Sequence, residues 1–440
     1  MISIALYLLV FVINLRLQMK YGKVHAIILL FLVAGLCLTL LNLLLNFDNP
    51  VPFADISDAQ SYLLYGERTA GNLMLLIERD YQYWGYILVL SLLYITSFGN
   101  WFLYVFSATL LNFVLFGALF TVLVIWSRKL FGLEVPSLFW YLVIFNPSVP
   151  LVALATTRDT FITFFTVLFL ICMVNFLCRG FGLKGITLFL FSGFSLYFFR
   201  TSFVYLLSMT FVVTLFLSFL VKKRLWLFAV FVMVAYFFVL IVAPIRFVRP
   251  LVVLTGRDME YVSSLTILGE EAVMSVTQAY SADKNELVRV AALRAIGRGP
   301  ITFLGRSYLK GMYLNLGGFS TGFYESNILK VVLNIFKDLY RYWIVLPLIF
   351  FIVFTKRITD LGAKKWLVLL TLTSYLFALL MYSSKFGNWQ TRNRLPLEIL
   401  LVFGLLLVIS DSSSVKIHKY IPFWLISNFL AFLYIILKPF

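Results

Sequence analysis

An all-α, polytopic membrane domain is what this sequence predicts, and three observations predict it. Of its 440 residues, 62% are hydrophobic and only 12% charged, with a mean hydropathy of +0.98, which excludes a water-soluble globular fold. Apolar runs of about 20 residues, enough to cross about 30 Å of hydrocarbon as helix, recur along the chain. Lysine and arginine collect in alternate short turns between those runs, the charge pattern that orients membrane helices. Aromatics reach 18%, while Gly and Pro are ordinary, which removes collagen-like and disordered classes.

In chain order the expected helices number about twelve: residues 2–15, 25–46, 100–126, 135–155, 160–178, 184–199, 202–221, 225–244, 331–355, 366–382, 394–410 and 420–438. Arg16 and Lys20 follow the first run instead of preceding it, and no small-residue cleavage site appears, so it reads as a span and not as a secretory signal. The turns holding Arg16, Lys20 and Lys23; Arg128 and Lys129; Arg179 and Lys184; Lys222, Lys223 and Arg224; Lys356, Arg357, Lys364 and Lys365; and Lys416 and Lys419 contain sixteen basic residues. Only Glu134, Asp360 and Asp411 oppose them, for a net charge of +13 out of the chain's +17. These turns belong on the cytoplasmic side. The basicity is a topology signal spread over short turns, and it speaks against nucleic acid as a partner.

This alternation holds only if residues 84–99 do not cross. They are expected to lie in the outer interface as a helix, within a first outer loop of residues 47–99. A second, basic outer loop covers residues 245–330, and the chain 1–440 is read as a single transmembrane domain. The three cysteines, Cys37, Cys172 and Cys178, sit in apolar runs and provide neither a disulfide framework nor a metal cluster. His25 and His418, beside lysines at the ends of apolar runs, read as loop residues near lipid headgroups.

Polar residues gather at the outer side. The first loop holds Asp48, Asp55, Asp58, Glu67, Glu78 and Asp80. Asp55, Asp58 and Tyr62 fall near one helical face, and a carboxylate beside an apolar cavity can act as a general base toward a sugar hydroxyl. Asp58 also fits the N-cap of a helix starting at Ala59. The fourth span ends in Asn146, Pro147, Pro150, Thr156, Thr157, Arg158 and Asp159. Arg158 either pairs with Asp159, reaches the headgroups or binds an anion. The second loop supplies Arg294, Arg298 and Arg306 near an amphipathic helix beginning at Asp283. Guanidinium binds phosphate through paired hydrogen bonds. The last outer loop compresses Lys385, Asn388, Trp389, Gln390, Arg392, Asn393, Arg394 and Glu398 into the mouth of a helix pair, with Pro396 at the first turn of the next helix. No Walker loop, HExxH or nucleophile elbow is present. Ionisable residues are scarce inside the spans, which weighs against an ion-coupled transporter.

Several stretches together resemble the C-type (GT-C) polytopic membrane glycosyltransferases, the protein O-mannosyltransferase-like and aminoarabinose-transferase-like enzymes. They are DAxxY (Asp58, Ala59, Tyr62) with Asp55, the YWGYILVLSLLYITSFG segment (Tyr83 to Gly99), SRKLFG (Ser127 to Gly132), NPSVPLVALATTRD (Asn146 to Asp159), AALRAIGRGPITFLGR (Ala291 to Arg306) and TRNRLP (Thr391 to Pro396). The likeness is one of layout over residues 25–410. It implies a polyprenyl-phosphate-linked sugar donor, transfer at the outer, periplasmic face of a bacterial inner (plasma) membrane, and a lipid, glycan or protein acceptor. Carried over residue by residue, it makes Asp58 or Asp55 the base. Arg392, Arg394, Arg298, Arg306, Arg158 and Lys385 become donor-phosphate ligands, and Tyr62, Asn388 and Trp389 sugar or acceptor contacts. No metal ligand set is assigned, and a divalent cation at the first-loop carboxylates is the single cofactor left open. O-antigen and capsule repeat-unit polymerases, which use pyrophosphate-linked oligosaccharides, are the nearest rival. Arg306 and Gly317 match an Arg-x10-Gly spacing of theirs that chance also supplies. A lipid-linked oligosaccharide flippase is the third reading.

Overall fold

The computed structural model describes residues 2–45, 56–72, 84–132, 137–180, 182–221, 336, 340, 364, 366–375 and 391–411. All the described regular structure is helical: α1 (Ile2–Tyr21), α2 (Lys23–Leu45), α3 (Ile56–Gly71), α4 (Trp84–Thr96), α5 (Trp101–Phe131), α6 (Ser137–Ile144), α7 (Ser148–Leu154), α8 (Asp159–Arg179), α9 (Leu183–Val221), α10 (Trp366–Tyr375) and α11 (Thr391–Asp411). Among the described residues, α1, α2, α5 and α8 are long and apolar enough to cross a membrane. This is a membrane protein by the length and composition of those helices. The expected spans 225–244 and 420–438 lie outside the described residues, as does 331–355 apart from Phe336 and Tyr340.

The chain divides into two compact units. One comprises Met1–Val204, Asn315–Tyr375 and Gln390–Phe440, and the other Tyr205–Leu314 and Leu376–Trp389. Of the second, the description covers the helical stretch 205–221, where Leu207 and Thr210 are buried.

In the first unit α1, α2 and α5 pack against one another, α6 and α7 lie along α2 and α5, and α8 and α11 complete the bundle. The long helix α5 has clear stop signals. Asn100 accepts a hydrogen bond from the Leu103 N–H at 3.0 Å, an N-cap. Gly132, at φ +63°, ends the helix by donating its N–H to the Arg128 carbonyl. Three of the predicted basic turns, those around Lys20, Lys129 and Arg179, come together at this end. Arg128 Nη2 donates to the Tyr21 carbonyl at 2.8 Å, and Arg179 Nη2 donates to the Lys129 carbonyl. We call it the basic end.

Lengths then decide what crosses. The 21 residues of α8 make a rod of about 30 Å, whereas the 31 residues of α5 reach about 46 Å. Both finish at the basic end, so about ten residues of α5 project beyond the far end of α8. That projection carries α3 and α4. Tyr104 donates to the Leu63 carbonyl at 3.1 Å and packs edge-on to Tyr94 at 5.2 Å. Tyr62 lies against Tyr86, Gly66 against Leu90 and Glu67 against Tyr94, so α3 and α4 run parallel. With 13 residues, α4 is too short to cross. Trp84–Thr96 is thus a short helix packed with α3 on the projecting end of α5, and we call α3 and α4 the cap helices.

Four expectations change. The first helix runs to Tyr21 instead of residue 15, bringing Arg16 and Lys20 into its last turns. His25 is fully buried in the first turn of α2 and is no headgroup loop residue. Its Nδ1 donates to Asn14 Oδ1 at 2.9 Å, while Asn14 Nδ2 donates to Thr121 Oγ1 at 2.9 Å, a polar clamp across three helices. The span expected at 135–155 breaks into α6 and α7 at Asn146–Pro147, because Pro147 has no N–H and restricts the residue before it. Asn146 Oδ1 accepts from the buried Ser148 N–H at 3.0 Å. The turn expected at Arg200 is one extended residue, φ −166° and ψ 98°, interrupting α9.

Single cysteines replacing Lys129 and Asn72, in a chain with Cys37, Cys172 and Cys178 changed to serine, should react with an impermeant maleimide from opposite sides of sealed vesicles. Labelling of both from one side would refute this arrangement.

Candidate functional site at the far end of the bundle

Where α5, α7, α8 and the cap helices meet, polar side chains collect at the bundle's far edge. The turn from α7 into α8 is the centre. Asn112 Nδ2, on α5, donates to the Ala153 carbonyl at 2.9 Å. Tyr86 Oη, on α4, donates to the Thr156 carbonyl at 2.7 Å. Thr156 itself adopts φ +46°, a conformation that β-branched residues rarely take. Burial pushes the Tyr86 phenol well above its ordinary range, so it stays an O–H donor.

Arg158 and Asp159 leave this turn in different directions. The Asp159 carboxylate is buried, accepts from Thr157 Oγ1 at 2.8 Å and forms an ion pair with Arg200 Nη1 at 3.7 Å. Arg158 stacks over the Tyr62 ring, 5.9 Å from its centroid. Asp159 therefore pairs with the arginine at the break in α9 and not with its neighbour in sequence. Tyr62 meets Tyr86 edge-on at 5.5 Å, and Tyr86 meets Phe161 at 5.6 Å, which fastens α3, α4 and α8 together.

Two predicted site residues, Tyr62 and Arg158, are thus in contact although 96 positions apart in the chain. Asp58 sits in the first turn of α3, four residues before Tyr62, so the two share a helical face. Because α3 starts at Ile56, Asp58 is inside the helix and is not the N-cap expected for a start at Ala59. Arg392 and Arg394 lie in the first turn of α11. Phe403 of that helix packs on Trp126 and Trp140 near the basic end, and α11 also touches α7. Its first turn is therefore about 18 Å further toward the far end. Since α11 begins at Thr391, Pro396 falls in its second turn, later than expected, and Glu398 is buried in the helix instead of standing at a loop mouth. Asp55, Arg298, Arg306, Lys385, Asn388 and Trp389 lie outside the described residues.

Among the described residues no group of three or more His, Cys, Asp or Glu side chains is placed to hold a metal. Of the first-loop carboxylates, Glu67 is engaged by the Tyr94 hydroxyl at 3.0 Å. Sequence reading missed Tyr86 and Arg200 as site residues. Tyr86 lies in an apolar segment, and the one signal for Arg200 was its place as a lone charge between two apolar runs. No protein-family model, curated protein or solved structure matches this chain.

The buried Asp159 carboxylate depends on its guanidinium partner. Arg200→Ala should destabilise the protein by about 1–3 kcal/mol, and adding Asp159→Asn should recover most of that loss. Thermal unfolding in detergent checks both. A double variant as weak as the sum of the single changes would remove the ion pair from the account.

Proposed function

We propose that this chain is a membrane glycosyltransferase. It takes a sugar from a polyprenyl-phosphate-linked donor and passes it to a hydroxyl of a lipid, glycan or protein acceptor during the building of cell-surface glycoconjugates. The observation that carries the reading is the contact between Arg158 and Tyr62, one helical turn from Asp58, beside the Asp159–Arg200 pair at the edge of the bundle. That edge is where the phosphate of a membrane-embedded polyprenyl lipid resides, and the basic-turn distribution puts it on the outer face. In this reading the protein sits in a bacterial inner membrane with its site facing the periplasm.

The chemistry follows from the charges. A first-loop carboxylate, Asp58 or Asp55, takes the proton of the acceptor hydroxyl. The acceptor oxygen bonds to the anomeric carbon as the bond from that carbon to the phosphate oxygen breaks, and the electron pair leaves on the polyprenyl phosphate. Negative charge grows on that phosphate, so Arg158, with Arg392 and Arg394 from α11, lowers the barrier by meeting it with fixed positive charge.

One observation favours a second reading. Arg158 and Arg200 flank the same short turn, and two guanidiniums suit the diphosphate of a repeat-unit polymerase substrate. The leaving group separates the two. Purified protein in nanodiscs, given a panel of lipid-linked sugars, should release polyprenyl monophosphate. Pyrophosphate release with chain growth would establish the polymerase instead, and movement of labelled lipid-linked glycan across proteoliposomes without release of either would replace both with a flippase.

Asp58→Asn should lower turnover at least about 100-fold without changing the unfolding temperature. Arg158→Ala should weaken polyprenyl-phosphate binding about tenfold, with only partial recovery in Arg158→Lys, because lysine cannot offer two parallel hydrogen bonds. An active Asp58→Asn enzyme, or unchanged affinity in Arg158→Ala, removes that residue from the mechanism.

A further inference from the structure

Thr156 holds φ at +46° while its side chain is buried. A threonine in that region is strained, and such a conformer persists only when its surroundings over-determine it. Two side chains from other helices do so. Asn112 holds the Ala153 carbonyl at 2.9 Å, and Tyr86 holds the carbonyl of Thr156 itself at 2.7 Å. Tyr86 has little freedom of its own, since it is 1% exposed and wedged between Tyr62 and Phe161. The next three residues of the turn are Thr157, Arg158 and Asp159.

We propose that Tyr86 is a positioning residue of the far-end site: its hydroxyl latches the strained Thr156 turn, and the turn in that conformation sets Arg158 over Tyr62 and Asp159 against Arg200. Without the latch, Thr156 relaxes to negative φ. That rotation redirects the peptide two residues before Arg158, so a ligand of Arg158 binds only the fraction of molecules whose turn is still in place. The latch itself is a matter of geometry. Only the choice of ligand in its binding test rests on the glycosyltransferase reading.

The test uses the full chain in nanodiscs with a polyprenyl monophosphate as the binding probe, and backbone hydrogen exchange at residues 155–160 as a readout independent of any ligand. Tyr86→Phe keeps the ring packing and removes one hydrogen bond. It should weaken probe binding about three- to tenfold and speed exchange in the turn. Asparagine takes positive φ more readily than threonine, so Tyr86→Phe combined with Thr156→Asn should return affinity to within about twofold of the unaltered protein and slow exchange again. A role in packing alone would not be rescued this way, so a double variant as weak as Tyr86→Phe overturns the proposal. Unchanged exchange in Tyr86→Phe overturns it as well. Should Tyr86→Phe not fold, Thr156→Asn alone decides, because slower exchange than in the unaltered turn supports a strained, latched Thr156 and faster exchange refutes it. Failure of the unaltered protein to bind any polyprenyl phosphate would overturn the proposed function instead, while the exchange results continue to judge the latch.

Discussion

A polar group buried in hydrocarbon can bond only to other protein groups, and α5 meets that demand for most of its neighbours. Along its length Tyr104 donates to the Leu63 carbonyl of α3, Asn112 to the Ala153 carbonyl of α7, Trp126 to Asn175 of α8 and Arg128 to the Tyr21 carbonyl of α1. Thr121 accepts from Asn14 of α1, which in turn accepts from His25 of α2. Each bond goes to a different place at a different height. Apolar side chains pack tightly but slide with little penalty, whereas these bonds fix the register of the helices against α5.

The height of each bond also decides where the site sits. Tyr104 lies on the part of α5 that outruns α8, so the cap helices α3 and α4 are held beyond the span. Asn112, two turns further along, holds the end of α7 at the edge of the span. The α7–α8 turn is caught between the two levels, with the cap on one side and the start of α8 on the other. It is there that a buried carboxylate, two guanidiniums and a tyrosine pair converge. A ligand with a lipid tail and a charged head meets both of its requirements at such an edge.

The legible and illegible parts of the site differ by residue type. Arg158 stands out in sequence as a charge at a span's end, and Tyr62 because it falls one helical turn after Asp58. Their mutual contact could not be read, since 96 positions separate them. The same holds for Asp159, whose nearest charge in sequence is Arg158 but whose partner in space is Arg200. Tyr86 looked like one more aromatic in an apolar segment. Its role depends on a single carbonyl 70 residues away, which no local pattern encodes. His25 is the converse case: a histidine beside Lys23 at the start of a span suggested headgroups, and the approach of α1 and α5 buried it.

By itself the sequence determined that the chain is helical and membrane-embedded and that its first three basic turns lie at one end. Both follow from local quantities: run length against bilayer thickness and charge in short turns. Tertiary structure alone decided that α3 and α4 run parallel on the projecting end of α5, that Asp159 pairs with Arg200, and that Thr156 is held strained beneath Tyr86. These depend on which groups far apart in the chain satisfy one another, a choice made by the packing of whole helices, so the sequence supplies the bonding groups and the fold selects their partners.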